Sequence, residues 1–451
     1  MRKLTSLFLV LPLVIIAQNQ ENTFSLNDAV TYALEYNYSS INADRDITDA
    51  QKQKWETIAI GLPQISGAIN YQNQLKQIQS QFPSILVPEQ FLPEGVVQGP
   101  DTFVPIIFGQ PQQITATGTI RQQIFDGSYI VGVQATKAFL NFSQNNKERT
   151  RLEVKKAVIE AYGNVLLAQE SASIIEKNKE TLKKTLFETQ KIYENGLGDE
   201  ESVDQLQITL SSVDNQLKNA IRLKKITKQM LNLVMGRPID SEILLTENLN
   251  DLTETQINPS LVNADFKMQN NVDYKIATNL NEQRYFELKL AKSRALPTLN
   301  AFVNYGALSF GESFSFLDEG QDYFGFSTFG VDLNIPIFSS LKRSASTQRA
   351  KIAYEKAKTQ LIEAEEQIRL QLETAKSNYV LAIEEYGTST NNLALAERIE
   401  NKNQIKYKEG LATSFELRQA QTQLYSSQQE YLQSMVNVIN NKTILEGILN
   451  Q

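Results

Sequence analysis

The sequence predicts a mixed, mainly α fold that is built from two related halves. Residues 193–197 read Tyr-Glu-Asn-Gly-Leu, residues 407–411 read Tyr-Lys-Glu-Gly-Leu, and the similarity continues in register beyond both segments. Upstream, the dipeptide Leu62-Pro63 before one strand-like stretch returns as Leu296-Pro297 before another. This repeat is several times longer than the repeat of a solenoid, so it indicates an internal duplication. Each half reads as helix, strand, loop, strand, very long helix, tight turn and long helix.

The chain begins with the pattern of an export signal. Met1-Arg2-Lys3 is followed by an apolar run from Leu7 to Ile16, and Ala17 is the small residue expected at the cleavage point. We therefore assign residues 1–17 to a signal peptide; a buried strand is the alternative reading of the apolar run. Loss of the two basic residues takes the formal charge from −7 to −9, which argues against nucleic acid as a partner.

Composition excludes several classes of function. The 451 residues include no cysteine and no histidine. Disulfides and thiol chemistry are therefore excluded, and the commonest general base and metal ligand is missing. No glycine-rich phosphate loop follows a predicted strand. We predict no enzyme, no cofactor and no metal site. After the signal, no run of about 20 apolar residues could form a membrane-spanning helix, which leaves a barrel as the remaining way into a membrane.

The first predicted helix runs from Ser25, a suitable N-cap, to about Ile60. It ends at Leu62-Pro63, because the residue before proline disfavours the helical conformation.

Four strands are predicted from alternating apolar and small or polar residues. Strands of about ten residues suit a barrel wall with lipid on one face and water on the other. The alternative is a four-stranded sheet on a helical layer in a soluble protein. The predicted strands span residues 65–71, 114–125, 299–305 and 329–337.

The two strand pairs enclose loops of unequal length. The segment from Gln74 to Gln112 holds six prolines, which argue against any regular element and favour a surface excursion. Its counterpart, from about Ala307 to Asp322, is shorter and carries two glycines and several phenylalanines.

Two very long helices follow the strand pairs, the first from about Ser128 to Glu194. Both carry apolar residues at alternating spacings of four and three, which is a heptad seam, and about 65 helical residues would span close to 100 Å. A single globular domain cannot bury such a rod, so we expect the helices to pack on each other and on other subunits. The seam residues are Val154, Val158, Ala161, Val165, Ala168, Ala172 and Ile175 in the first copy and Ile368, Leu372, Ala375, Tyr379, Ala382 and Tyr386 in the second.

Each long helix ends at the repeated turn, where Gly196 and Gly410 are suited to a left-handed cap. Returning helices are predicted from Ser202 to about Met235 and from Ser414 to Asn450. Ser202 or Asp199 would cap the first, and Ser414 the second. The linker after Gly236 reads as polar and irregular as far as Asn271, with a short strand over residues 242–245.

Acidic residues cluster at these turns: Asp199, Glu200, Glu201 and Asp204 at the first, and Glu416 at the second. One reading is a favourable interaction between acids and the N-terminal ends of helix dipoles. The other requires several copies around a tube, where the acids would form charged rings that select or gate.

The sequence resembles the TolC family of outer-membrane efflux proteins. The resemblance is carried by the duplication, the Leu-Pro junctions, the Ile124-Phe125 and Ile337-Phe338 dipeptides at the ends of strands, and the Tyr-x-x-Gly-Leu turns. The resemblance covers nearly the whole chain after the signal. It implies a homotrimer in the outer membrane of a Gram-negative bacterium, with each protomer contributing four strands to one twelve-stranded transmembrane β-barrel. It also implies that the long coiled-coil helical hairpins continue as a periplasmic α-barrel.

The resemblance further implies that the helical tips meet a periplasmic membrane-fusion adaptor, and through it an inner-membrane pump. The adaptor-docking positions are Asn195, Gly196, Leu197, Gly198, Glu409, Gly410, Leu411, Ala412, Thr413 and Ser414. Family members close the inner end with acidic rings, to which Asp199, Glu200, Glu201, Asp204 and Glu416 would contribute. Gln419 and Ser202 stand where the family often has acids.

We therefore expect a passive exit duct of a tripartite efflux or type I secretion system. A periplasmic or surface coiled-coil scaffold or adhesin without channel activity is the alternative. The predicted boundaries place a signal peptide at residues 1–17 and a linker or equatorial segment at residues 237–271. The first repeat spans residues 18–236, with its strands in 65–125 and its helical hairpin at 128–235. The second repeat spans residues 272–451, with its strands in 298–338 and its helical hairpin at 341–450.

Overall fold

A computed structural model of the chain describes residues 22–450. The signal peptide assigned to residues 1–17 lies outside the described residues. Among the described residues, no helix is both long and apolar enough to cross a membrane. The chain divides into two compact units. One comprises the chain up to Ile47, Ser143–Thr278 and the chain from Leu361 onward, and the other comprises Thr48–Phe142 and Asn279–Gln360. Each unit takes segments from both copies of the repeat.

The order of elements repeats as the sequence predicts. The first copy contains β1 (Thr23–Phe24), α1 (Leu26–Tyr36), α2 (Tyr38–Ala59), β2 (Gln64–Asn73), β3 (Gln79–Pro83), β4 (Phe103–Ile107), β5 (Gln112–Asp126), α3 (Gly127–Glu194) and α4 (Glu200–Met235). The linker contains β6 (Leu244–Leu245) and α5 (Leu249–Gln256). The second copy contains α6 (Val272–Ser293), β7 (Thr298–Gly311), β8 (Phe324–Asn334), α7 (Lys342–Lys408) and α8 (Ser414–Leu449).

The first predicted helix is two helices. Ser25 caps α1 as expected, in a capping box with Asp28. The chain then breaks at Asn37, whose backbone is extended. The Asn37 side chain accepts hydrogen bonds from the N–H groups of Ser39 and Ser40. Asparagine favours such a cap over the helix interior, so one continuous helix to Ile60 was the wrong prediction.

Four antiparallel strands form one sheet in the order β2-β5-β7-β8. The central pair, β5 and β7, joins the two copies of the repeat, with Gln112 opposite Gly311 and Asp126 opposite Thr298. β7 therefore continues to Gly311 instead of giving way to a loop at Ala307. The last strand ends at Asn334, so Ile335 and Ile337 were wrongly placed in it. Asn334 pairs with Thr298, the first residue of β7, and Pro297 before it has no N–H to continue the ladder.

The proline-rich loop contains a regular element, contrary to prediction. β3 and β4 pair antiparallel as a two-stranded hairpin, with Gln81 opposite Pro105 and Pro83 opposite Phe103. A two-stranded ribbon has an outer edge on both strands, so a proline whose missing N–H faces outward costs no ladder bond. The linker is also more regular than predicted. β6 pairs with β1 in parallel, and Asn248 caps α5.

Most residues of the two heptad seams are buried, and Ala161, Ala168, Ile175 and Tyr386 are half-buried. Val154, Val158 and Val165 of α3 join a core cluster with residues of α1, α4 and α8. Leu372 and Tyr379 of α7 join a second cluster with α8. A smaller cluster near the tips joins Leu182, Leu206 and Val213 of α3 and α4.

The end of α4 depends on a glycine for two reasons. Gly236 adopts a left-handed backbone conformation with φ of 80°. A Cβ atom on Gly236 would also lie 2.1 Å from the carbonyl oxygen of Tyr36. The close approach brings the end of α4 to the break between α1 and α2, where the Asn37 side chain donates to the carbonyl of Val234 at 2.6 Å.

We expect Gly236→Ala to lower the free energy of unfolding. A left-handed alanine costs about 1–2 kcal/mol, and the loss should exceed this value because the backbone of Tyr36 must also move. Gly410→Ala is the matched control, since its φ is 72° and no atom lies within 4 Å of its Cβ position. Denaturant unfolding of both variants measures the difference. Equal losses would contradict a role for the close approach.

Candidate functional site: the tips of the two helical hairpins

Both hairpin turns close with the same hydrogen-bond pattern. Gly196 donates its N–H to the carbonyl of Tyr193 at 2.8 Å, and Leu197 donates to Ile192 at 3.1 Å. In the second copy, Gly410 donates to Tyr407 at 3.0 Å and Leu411 to Lys406 at 2.8 Å. This is the Schellman motif, which requires a left-handed residue after the last turn of helix. The two glycines have φ of 73° and 72°, as predicted.

Each turn presents an apolar side chain to solvent. Leu197 is 82% exposed and Leu411 is 73% exposed in the protomer. Phe415, at the start of α8, is also exposed, with the guanidinium of Arg418 5.4 Å from its ring centroid. Each hairpin turn therefore ends in an apolar side chain that is not buried within the protomer.

Two of the five predicted aperture acids are used as helix caps. Asp199 is the N-cap of α4 and accepts hydrogen bonds from the N–H and hydroxyl of Ser202 at 2.7 and 3.0 Å. Glu416 completes a capping box with Thr413, accepting from its N–H at 2.7 Å. Thr413, rather than the predicted Ser414, is therefore the N-cap of α8. These hydrogen bonds lower the pKa of both carboxyl groups, and the bond from the backbone N–H has the largest effect.

The other three acids at the first turn, Glu200, Glu201 and Asp204, have exposed side chains. Glu201 accepts a hydrogen bond from the Gln205 amide at 2.9 Å. Unlike Asp199 and Glu416, these three acids are not the capping acids of α4 or α8.

The two hairpins are joined to each other at their tips. Glu188 of α3 pairs with Lys408 of α7 at 3.2 Å, and the hydroxyls of Thr189 and Tyr407 lie 3.1 Å apart. Ser414 of α8 donates to the side chain of Gln205 in α4 at 3.2 Å. The two turns therefore lie at the same end of the helical unit.

A half-buried carboxyl behind the tips was not among the predicted site residues. Glu400 of α7 lies beside Gln421 and Tyr425 of α8, and burial raises the pKa of its carboxyl. Burial first, and then the charge of Glu400, raises the pKa of Tyr425 to about 12. The sequence contains an indication that Glu400 is buried. The α7 seam alternates spacings of four and three residues, and the same spacing continued beyond Tyr386 reaches position 400.

Comparison with known proteins identifies the family. The family model described as outer membrane efflux protein matches residues 107–237 and 271–451, more than half of the chain. The chain belongs to this outer-membrane efflux protein family. One matched segment lies in each copy of the repeat, over the second part of the first copy and the whole of the second. Comparison with curated proteins gives no match.

Solved structures share the fold of this efflux protein. The outer membrane protein VceC of Vibrio cholerae is 18% identical, with 94% of this chain and 95% of VceC covered and a TM-score of 0.69. The Campylobacter jejuni outer membrane channel CmeC is 16% identical, with 95% and 85% covered and a TM-score of 0.71. The Neisseria gonorrhoeae channel MtrE, in an open state, is 16% identical, with 94% and 88% covered and a TM-score of 0.71.

The family establishes the general function. The efflux protein is an outer-membrane channel of a Gram-negative bacterium with a long periplasmic helical portion, and it is not an enzyme. Among the residues from 22 to 450, no group of acidic side chains is arranged to hold a metal ion.

We expect Glu400→Gln to stabilise the efflux protein near pH 7 and to have little effect near pH 4. A raised pKa in the folded state means that folding favours the protonated carboxyl. Stability is therefore lost as pH rises from the ordinary pKa through the raised one. The amide cannot ionise and avoids this loss. Guanidinium unfolding midpoints at the two pH values measure the effect.

Glu397→Gln is the control, because Glu397 is exposed one turn away. A shift of equal size in both variants, or a Glu400→Gln shift that is independent of pH, would count against desolvation of Glu400.

Proposed function

We propose that the efflux protein is a passive exit duct, assembled as a homotrimer, that receives its cargo from an inner-membrane pump through a periplasmic adaptor. The single observation that carries this proposal is that the four-stranded sheet of one protomer has open edges. Its outer strands β2 and β8 have unpaired edges within the protomer, and the whole of β2 is exposed.

An open sheet cannot remain in lipid, because each unpaired N–H and C=O group costs several kcal/mol there. β8 alternates apolar Phe329, Val331 and Leu333 with polar Thr328 and Asp332. All three apolar side chains are exposed. If β2 of one copy pairs with β8 of the next, the edges are satisfied, the apolar face meets lipid and the polar face lines water. Three copies give the twelve-stranded barrel that the resemblance implies.

The length of the helices is evidence that they form the wall of a passage and not a globular domain. α3 has 68 residues and α7 has 67, or about 100 Å each at about 1.5 Å per residue. Helices of this length could form the wall of a long passage. A wide, wet passage has few means of holding a solute, so selection among small molecules or polypeptides would fall to the pump.

The tips support adaptor docking. We propose that Leu197 and Leu411 are the central contacts, and that the flanking Asn195, Gly198, Glu409, Ala412 and Thr413 complete the surface. We also propose that the exposed Glu200 and Glu201 of several protomers line the inner opening as a ring of charge. Asp199 and Glu416 contribute less to that ring, since their carboxylates already accept cap hydrogen bonds.

Planar-bilayer recording of the purified mature protein tests the duct, together with its mass in mild detergent. We expect a trimer with discrete conductance steps. A monomer that does not conduct would favour the alternative function, a coiled-coil scaffold or adhesin. The same bilayers test the acids: Glu200→Gln with Glu201→Gln should lower selectivity for cations, because a ring of negative charge attracts them.

Glu363→Gln with Glu365→Gln is the matched control for the acid pair. These acids lie on α7, far from the tips, where Glu363 is exposed and Glu365 is half-buried. The ring proposal fails if both double variants change cation selectivity equally, or if neither does.

We expect Leu197→Asp and Leu411→Asp to weaken export while leaving the trimer intact. An aspartate at the apolar tip would have to be desolvated on docking, at a cost of at least about 1–3 kcal/mol and a loss of affinity of tenfold or more. Ile362→Asp, exposed on α7 away from the tips, is the control. Export of a reporter compound in cells measures the effect, and wild-type export by both tip variants would remove the docking assignment.

A further inference from the structure

A groove between α3, α4 and α8, the neutral groove, is lined by uncharged side chains. It consists of a cavity of about 700 Å³ and a second cavity of about 250 Å³ on the same three helices. Ser171 and Gln429 line both cavities. The neutral groove follows α8 from Gln421 to Gln433, which is about 18 Å at about 1.5 Å per residue. It therefore has the length for a ligand that is itself a chain.

The lack of charge belongs to this groove and not to its helices. Lys218, Arg222 and Lys225 of α4 are exposed, yet within residues 22–450 no charged side chain lines either cavity. A charged ligand would lose water here without meeting an opposite charge, which is costly. The neutral groove therefore favours an uncharged polar ligand. Its hydroxyls and amides include those of Ser171, Thr209, Ser212, Gln216, Asn219 and Thr422.

Three hydroxyls of the neutral groove are left as acceptors. Thr209 and Thr422 each donate to the backbone carbonyl of the residue four positions earlier, at 2.8 and 2.9 Å. Ser426 donates to the carboxylate of Glu430 at 3.0 Å. A hydroxyl has a single O–H and two lone pairs, so each of these three can only accept from a ligand. A ligand that fits must therefore carry hydrogen-bond donors.

A buried acceptor of the same groove has no partner. Gln421 lines the larger cavity and is 2% exposed, and its side-chain oxygen accepts no hydrogen bond within residues 22–450. Buried polar atoms are normally paired, so this oxygen also calls for a donor. In the same cavity, the Gln429 amide donates to the hydroxyl of Ser171 at 3.3 Å and joins α8 to α3.

The linker does not cover the neutral groove. Tyr431 of α8 donates to Asn250 of α5 at 3.1 Å. At 3.6 residues per turn, Thr422 and Gln429 project from α8 about 180° and 160° away from Tyr431. Thr422, Ser426 and Gln429 are exposed. The groove is thus open to a ligand on the side of α8 away from α5.

We propose that the neutral groove binds a neutral, linear oligosaccharide. Each sugar ring carries several hydroxyls, which supply donors to the threonine hydroxyls and to Gln421 and accept from the amides of Gln216 and Asn219. The sugar brings no charge, and the apolar face of a ring can lie on the half-buried ring of Tyr425. The inference goes beyond the proposed duct, because binding by one helical unit does not require a passage.

An extended peptide fits the neutral groove less well. It offers a single N–H for each residue, and about a quarter of the residues in an average protein are charged. The acceptors of the groove would then meet fewer donors, and charged side chains would find no partner there. The observations therefore favour a sugar chain over a polypeptide.

Titration calorimetry with maltohexaose, a neutral linear chain of glucose units, tests the site. The mature protein is kept in lauryldimethylamine oxide, because a detergent with a sugar headgroup would compete. We expect saturable binding of maltohexaose and none of a polyethylene glycol of similar mass, since ether oxygens accept hydrogen bonds but do not donate. The site is overturned if maltohexaose does not bind, or if the polyethylene glycol or a neutral hexapeptide binds as tightly.

Thr209→Val with Thr422→Val removes two acceptors and keeps the shape of both side chains, and we expect maltohexaose to bind at least about tenfold more weakly. Thr388→Val with Thr390→Val is the matched control. Both threonines are exposed on α7 outside the groove and donate to their own helix in the same way. Equal losses in the two double variants, or no loss in the first, overturn the site. A conducting trimer that does not bind maltohexaose removes this site and leaves the proposed duct standing.

Discussion

The structure depends on one constraint, which is that backbone polar groups in a membrane must be paired. Within residues 22–450, the four-stranded sheet has two unpaired edges, and most of its side chains are exposed. Taken alone, this sheet is an incomplete structure. Pairing β2 with β8 of a second copy, as proposed above, would satisfy both edges at once.

The helical unit resolves a different problem, which is how to stabilise rods too long for a globular core. Burial is distributed along α3, α4, α7 and α8 in stripes of Val, Leu, Ala and Tyr instead of being concentrated in one place. The tips carry little core, and they are held by a few polar links such as Glu188–Lys408 and by two glycine-based turns. A region of this kind can meet a partner without disturbing the packing above it.

The sequence alone predicts the features that depend on local chemistry or on a long period. The cap at Ser25, the left-handed Gly196 and Gly410 and the buried seams belong to this group, because each is set by neighbours in the chain. Features set by distant partners were missed. The last strand ends where Pro297, over thirty residues earlier, stops its partner. Pro83 and Pro105 are tolerated because their hairpin has free outer edges. Two local features were missed as well. Thr413 caps α8 instead of Ser414 because Glu416 is three residues beyond it, and Asn37 ends a helix although the apolar pattern continues.

The central strand pair has a consequence for biogenesis. The Thr119 hydroxyl reaches Asn304 across a sequence separation of 185 residues, and β5 cannot pair with β7 until the second copy has been exported. Each helical hairpin, by contrast, needs only residues close in sequence. Local contacts form faster than distant ones, so the helical hairpins should be complete while β5 and β7 are still unpaired. The chain would then cross the periplasm before its four-stranded sheet is complete, and insertion into the outer membrane would be the last step of folding.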